Sequence, residues 1–172
     1  MDMNFCRRCG TSLTTTELHV YICKQGHMIF ANAAPSTGIF FVTQDTQVLL
    51  SVRGIEPHKG MLDAFGGFVD GPETLEQAVT RELEEELGLK PGDYTSPEYL
   101  TSSVGHYPFG GEVITVVSAF YWSRLLVESA EPRDDVAAIA TYPLAQVPLD
   151  KLHDQDIVDG IKALQAKLFS DI

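Results

Sequence analysis

Basic residues are scarce: 12 lysines and arginines stand against 24 aspartates and glutamates in 172 residues, a formal net charge of −12. Such a chain lacks the cationic face that a nucleic-acid backbone or an anionic membrane requires, so neither is expected as its main partner. An anionic small molecule would need a bridging cation. Long apolar runs are also missing. No segment approaches the roughly 18 residues of a membrane helix, and MDMNFCRRCG at the N-terminus has no apolar core of a secretory signal. A cytoplasmic location is the default expectation. Cysteine is limited to three residues, which cannot all pair within one chain, and Cys6 and Cys9 stand at metal-ligand spacing. That argues against a disulfide framework and fits a reducing compartment.

What is present suggests one globular domain with a small appendage. Residues 1–34 are polar and turn-rich, contain all three cysteines and hold too few aliphatic residues for a core of their own, so a metal staple is expected there. Residues 35–172 form the second region. STGIFFVT and QVLLSVR, separated by QDT, read as a β-hairpin, and MLDAFGGFVD reads as a strand entering a Gly-Gly turn. DGPETLEQAVTRELEEELG reads as a helix with Pro72 in its first turn, Glu73 at its positive end, and Gly88 and Pro91 as its stop. PEYLTSSV and EVITVVSAFYW read as strands joined by a GHYPFGG loop, with VAAIATYPL a weaker strand. Ile157, Ile161, Leu164 and Leu168 make a helical stripe expected to pack on the sheet. Strands with one internal and one terminal helix imply an α/β fold with a mixed sheet between helices.

The internal helix carries an electrostatic anomaly. RELEEELGL places Glu82, Glu84, Glu85 and Glu86 at the helix C-terminal end, where the macrodipole favours cations. With Val79 at zero and about 100° per residue, Leu75, Val79, Leu83 and Leu87 fall on one arc. Glu86 falls inside that arc, Glu82 and Glu85 lie along one edge of it, and Glu84 points away. A solvated face accounts for Glu84. It does not account for Glu86, because an ionised carboxylate held from water needs a partner or a metal. Three carboxylates on one edge are a hard oxygen donor set suited to Mg²⁺ or Mn²⁺, which completes its shell with substrate phosphates. Gly66 and Gly67 let the backbone approach a ligand closely.

The spacing of these residues resembles a known family. Gly67, Glu73 and the run Arg81-Glu82-Leu83-Glu84-Glu85-Glu86-Leu87-Gly88-Leu89 match GX5EX7REUXEEXGU of the Nudix hydrolases, with U aliphatic, at nine defined positions over 23 residues. The resemblance implies a Nudix-type α/β/α sandwich and a divalent-metal-dependent hydrolase of a nucleoside diphosphate linked to another moiety. It implies that Glu82, Glu85 and Glu86 hold the metals, with the Gly67 backbone carbonyl as a further ligand, and that Arg81 and Glu73 brace those ligands. Glu82 or a carboxylate from a later loop would accept the proton from water. Glu112 is a candidate for that base or for an additional metal ligand. Asp134 and Asp135 read more simply as an acidic loop.

Cys6, Cys9 and Cys23 resemble a zinc ribbon. Where a regular second knuckle would place cysteine at position 26 this chain has Gly26, and His27, or less favourably His19, supplies the fourth ligand of a structural Zn²⁺ site. A ribbon before a Nudix domain resembles the subset that includes NADH pyrophosphatases and hydrolases of ADP-ribose or flavin dinucleotide. Of the NADH signature Ser-Gln-Pro-Trp-Pro-Phe-Pro-x-Ser only an echo is present, in Tyr107-Pro108-Phe109. Tyr107 and Phe109 are candidates for stacking on a base, and Arg53, His58 and Lys59 for contacting substrate phosphate. His106 has no assigned role. The expected substrate is a small nucleotide diphosphate such as ADP-ribose, NADH or FAD. A nucleoside triphosphate is the runner-up, and a non-catalytic nucleotide sensor is the reading from another class. The ribbon and terminal helix offer surfaces for a homodimer.

Overall fold

The computed structural model describes residues 3–17, 19–128 and 130–169. The chain divides into two compact units, Met1–Ala34 and Pro35–Ile172. The first is a three-stranded antiparallel sheet of β1 (Leu13–Glu17), β2 (Val20–Cys23) and β3 (Met28–Phe30). Its small core is Cys6, Cys23 and Ile29.

The second unit is built on a six-stranded sheet of β4 (Ala34–Val42), β5 (Gln47–Arg53), β6 (Leu62–Asp63), β7 (Glu98–Phe109), β8 (Glu112–Ser123) and β9 (Val136–Pro143), in the order β6-β5-β4-β8-β7 with β9 paired to β5. Alternation along β4 sorts the core into two layers. Phe40 and Val42 join Val48, Leu50, Phe120 and the stripe Ile157, Ile161 and Leu164 of helix α2 (Gln155–Phe169). Ile39 and Phe41 join Val79, Leu83 and Leu87 of helix α1 (Leu75–Leu87). The α/β/α sandwich expected from the sequence is therefore the architecture observed. A fully buried leucine in either layer is worth about 2–5 kcal/mol against alanine. Gly160 allows α2 to lie close to the sheet, since a Cβ there would stand 2.9 Å from the Phe40 ring. No helix among the described residues is long and apolar enough to cross a membrane.

Two local expectations change. Helix α1 begins after Pro72 and Glu73, because Thr74 caps it: the Gln77 N–H donates to Thr74 Oγ1 at 3.3 Å and the Thr74 N–H to Gln77 Oε1 at 2.8 Å. It ends as expected at Gly88, left-handed at φ 66°, whose N–H reaches back to the Glu84 carbonyl. GHYPFGG is not a loop. Strand β7 runs through Phe109, which pairs with Glu112, and only Gly110 and Gly111 turn, at φ 60° and 86°. Two positive φ values in succession make the tight turn that continues the twist of a long hairpin.

Candidate functional site

The chain between β6 and α1 crosses from one strand to the next. Leu62 and Asp63 pair with β5, and then Phe65 bridges Ile39 and Phe68 bridges Ser36. Gly66 and Gly67 are thereby pressed against β4, where the Thr37 N–H donates to the Gly67 carbonyl at 2.9 Å and uses one of its two lone pairs. The closeness explains both glycines. Gly66 has φ 139° and its added Cβ would strike the Thr37 carbonyl, while a Cβ on Gly67 would stand 2.6 Å from Glu82 Oε1.

Glu86 projects from the inner side of α1 into this crossing and is 7% exposed. Its Oε2 accepts the Gly66 N–H at 2.8 Å. Burial, with the neighbouring charges of Glu82, Asp63 and Asp135, pushes its carboxyl up to about 9. Burial also raises Glu82. Arg81 organises the outer edge: it meets Glu73 through Nη2 at 2.7 Å and Nε at 3.1 Å, Glu82 and Glu85 through Nη1 at 2.7 and 3.0 Å, and the Phe68 carbonyl through Nη2 at 3.0 Å. The guanidinium fork lowers Glu73 below the usual carboxylate range. Glu84 is exposed and its carboxylate lies 3.6 Å from the Lys90 amine.

These groups open on a cleft of about 380 Å³ whose lining includes Gly66, Gly67, Arg81, Glu82, Glu85 and Glu86. Of the residues proposed for substrate, Arg53 and Tyr107 line it; Arg53 donates to Asp63 Oδ2 at 2.8 Å and to the Tyr107 hydroxyl at 3.2 Å. His58, Lys59 and Phe109 do not line it. His58 stacks on His153 at 5.5 Å, Lys59 is exposed, and Phe109 sits edge-on to Phe68 at 6.2 Å. Glu112 is exposed at the hairpin turn and outside the cleft, because the two-glycine turn carries it to the far end of the ribbon. Asp134 and Asp135, read from sequence as a plain acidic loop, line the cleft, and burial raises Asp135. Sequence reasoning did not single out Asp63, His153, Asp154 and Asp156, which also line it. Asp63 was hidden in a strand-like run, and the two later aspartates belong to no motif in the sequence.

In the first unit, Cys6, Cys9, Cys23 and His27 offer four ligand atoms all within 4.8 Å of one another. Cys9 Sγ lies 3.8 Å from Cys23 Sγ, and Cys6 Sγ lies 3.6 Å from His27 Nδ1. Two turns deliver them: the Cys9 and Gly10 N–H groups donate to the Cys6 carbonyl, and the Gly26 N–H to the Cys23 carbonyl. Hydrogen bonds from Thr11 lower the Cys9 thiol to about 6, whereas burial raises Cys6. His19 is not in this cluster and its ring lies tilted against Phe30 instead, with centroids 6.4 Å apart.

Comparison with known proteins agrees with this geometry. The NUDIX domain family matches residues 33–162. The NAD-capped RNA hydrolase NudC of Pseudomonas aeruginosa is 28% identical over 157 residues, covering 90% of this chain and 54% of the relative. The ADP-ribose pyrophosphatase of Methanocaldococcus jannaschii is 43% identical over 63 residues, covering 33% and 37%. The chain thus spans about half the length of the NudC relatives it matches. Among solved structures, a NUDIX hydrolase from Nitrosomonas europaea superposes with a TM-score of 0.69 at 22% identity over 97% of this chain and 94% of that one. The NUDIX domain of Shewanella oneidensis NrtR, complexed with ADP ribose, gives 0.63 at 24% identity over 81% and 90%. Both likenesses are of fold. With the family match covering most of the chain and the glutamate helix, its arginine and the paired glycines assembled at one cleft, the chain belongs to the NUDIX family.

Proposed function

We propose that the protein is a divalent-metal-dependent hydrolase of the pyrophosphate bond in a nucleoside diphosphate linked to another moiety, in the class of ADP-ribose, NADH or FAD. The observation that carries this reading is Glu86, a buried carboxyl that among the described residues accepts only the Gly66 N–H and pairs with no cationic side chain, so that its ionised form needs a cation. Glu82 and Glu85 beside it complete a hard oxygen set that fits Mg²⁺ or Mn²⁺. Glu82, Glu85 and Glu86 would hold the cation, with the free lone pair of the Gly67 carbonyl. When bound, it supplies charge neutralisation for the diphosphate and a lowered pKa for water.

The chain's own residues do the rest. Arg81 fixes the rotamers of Glu82 and Glu85 through one nitrogen while Glu73 holds the opposite side of the guanidinium. Glu82, raised by burial, would accept a proton from the attacking water, with Asp134 and Asp135, which line the same cleft, as further carboxylates. Glu112, outside the cleft, is withdrawn from that role. Arg53, anchored on Asp63, presents cationic charge to the phosphates, and Tyr107 offers a ring and a hydroxyl for the attached moiety.

In the first unit the four donors fit a structural zinc ion. A tetrahedral ion with thiolate bonds of about 2.3 Å sets two sulfurs about 3.8 Å apart and a sulfur and an imidazole nitrogen about 3.6 Å apart. The observed separations are 3.8 and 3.6 Å.

A panel of ADP-ribose, NADH, FAD, a nucleoside triphosphate and NAD-capped RNA, each with Mg²⁺ or Mn²⁺, tests the reading. Two mononucleotide-type products from a dinucleotide-like substrate are expected. Pyrophosphate released from a triphosphate alone would favour the triphosphate reading, and tight binding without any product would favour a sensor. The net charge of −12 weighs against the RNA.

A further inference from the structure

Helix α1 ends on Glu82, Glu84, Glu85 and Glu86 with no basic residue in its last turn, although the carbonyl end of a helix favours a cation. The cation comes from elsewhere in the chain. The Arg133 N–H donates at 2.7 Å to the Glu86 carbonyl, one of the last four of the helix, while the Gly88 N–H serves that of Glu84. The Arg133 guanidinium lies against Gly88: a Cβ there would stand 2.5 Å from its Cζ and Nη1. Gly88 is therefore required twice, by its φ of 66° and by the arginine. The ion pair of Arg133 with Glu131, at 3.2 Å between side chains 54% and 78% exposed, adds little.

One position on, the chain turns into the cleft. Asp134 stands at φ 48°, left-handed for a residue with a side chain, and the Val136 N–H closes the turn on the Arg133 carbonyl at 2.9 Å. The Asp135 carbonyl then accepts the Gly54 N–H at 2.6 Å, and a Cβ on Gly54 would stand 2.9 Å from that oxygen. Two main-chain clamps, one on α1 and one just beyond β5, thus hold a turn whose two aspartates line the cleft together with Glu82 and Glu86. A residue at positive φ persists where its surroundings fix it. The charge of Asp135 is among those that raise the Glu86 carboxyl, so each carboxylate stands in the field of the other.

We propose that Arg133 is a positioning residue: by covering the carbonyl end of α1 it holds the Asp134–Asp135 turn in register with Glu86, so that Asp135 adds its charge to the cation site. The proposal rests on the hydrolase reading above and adds a residue outside the glutamate motif. The sign of its effect separates it from plain electrostatics. Removing a positive charge near a cation site should tighten cation binding, whereas removing the anchor of a carboxylate should weaken it. A helix cap that acts on stability alone would lower the melting temperature and leave cation affinity where it was.

The test is Mn²⁺ binding by calorimetry to the full chain, cleared of Mg²⁺, and it needs no turnover. Arg133→Ala and Asp135→Asn are each expected to weaken Mn²⁺ binding by about threefold or more. The double variant should lose no more than Asp135→Asn alone, because residues that act as one unit are not additive. Gly54→Ala, which pushes the turn from its other clamp, should match Arg133→Ala. Arg133→Met, which keeps the aliphatic stem, takes the place of Arg133→Ala if that variant lacks the wild-type circular dichroism. Unchanged or tighter Mn²⁺ binding in the Arg133 variant, wild-type affinity in Gly54→Ala, or losses that add in the double variant would each overturn the proposal. Failure of the hydrolase reading looks different. A wild type that binds no Mn²⁺ removes both, whereas the expected binding pattern without cleavage of any nucleotide removes that reading alone.

Discussion

Glu73 grips the Arg81 guanidinium with both carboxylate oxygens, at 2.7 and 3.1 Å, and thereby aims the remaining amine at Glu82 and Glu85. Glu73 precedes α1 and Arg81 lies in its second turn, so the pair also ties the glycine crossing to the helix. The fork geometry carries this job and lysine cannot reproduce it. Arg81→Lys is expected to lower kcat by about 10–100-fold, the range typical when residues supporting metal ligands are lost. Unchanged helix content by circular dichroism would separate this from misfolding, and kcat within twofold of wild type would contradict it.

Glu86 predicts an unusual pH dependence in protein treated with chelator. Its folded carboxyl, pushed up to about 9 by burial, lies above its unfolded value near 4.5. A folded state that binds its proton more tightly gains from low pH, so this group's contribution is lost as pH rises from about 4.5 to 9. Glu86→Gln should remove that loss. The melting-temperature gap between variant and wild type, with the variant higher, should widen up to about pH 9 and close when Mg²⁺ or Mn²⁺ is saturating. At this chain length 1 kcal/mol moves the midpoint by about 2–4 °C. A gap independent of pH and metal would refute the account.

The paired glycines should fail differently. An alanine at Gly67 meets the mobile end of Glu82 at 2.6 Å, so Gly67→Ala is expected to fold while displacing a metal ligand. Activity should drop at least about tenfold with little change in melting temperature. Gly66→Ala combines φ 139° with a backbone collision at Thr37, and should lose stability first. Thermal melts beside initial rates distinguish the two, and the reverse ordering would count against the geometry.

The cysteine cluster predicts about one equivalent of zinc in protein purified without chelator. Cys23→Ser or His27→Ala should lower that content and cost the first unit its order, because among the described residues its core cluster is just Cys6, Cys23 and Ile29. Zinc absent from the wild type, measured by elemental analysis, would contradict it.

Much of this was legible because periodicity reports burial. The helical wheel separated Glu86 from Glu84, and the structure finds the first buried and the second exposed. The apolar stripes of the two helices likewise foretold the faces they bury against the sheet. The helix start was misread because Pro72 and Glu73 are ordinary first-turn residues, and only the reciprocal Thr74–Gln77 bonds fix the boundary. Glu112 misled because a two-glycine turn leaves no sign of how far a hairpin projects. Asp63, His153, Asp154 and Asp156 were invisible for a deeper reason: β6 and the start of α2 are some 90 residues apart in the chain, and it is the pairing of Leu62 with Leu152 that brings them to one cleft.

The central claim is that Glu82, Glu85 and Glu86 hold the cation that cuts a diphosphate. It is tested most directly by AMP release from ADP-ribose at saturating Mg²⁺ or Mn²⁺, comparing wild type with Glu85→Gln and Glu86→Gln. The account predicts turnover by wild type, none without metal, and a fall of at least about hundredfold in each variant. Turnover by both variants at the wild-type rate would contradict it.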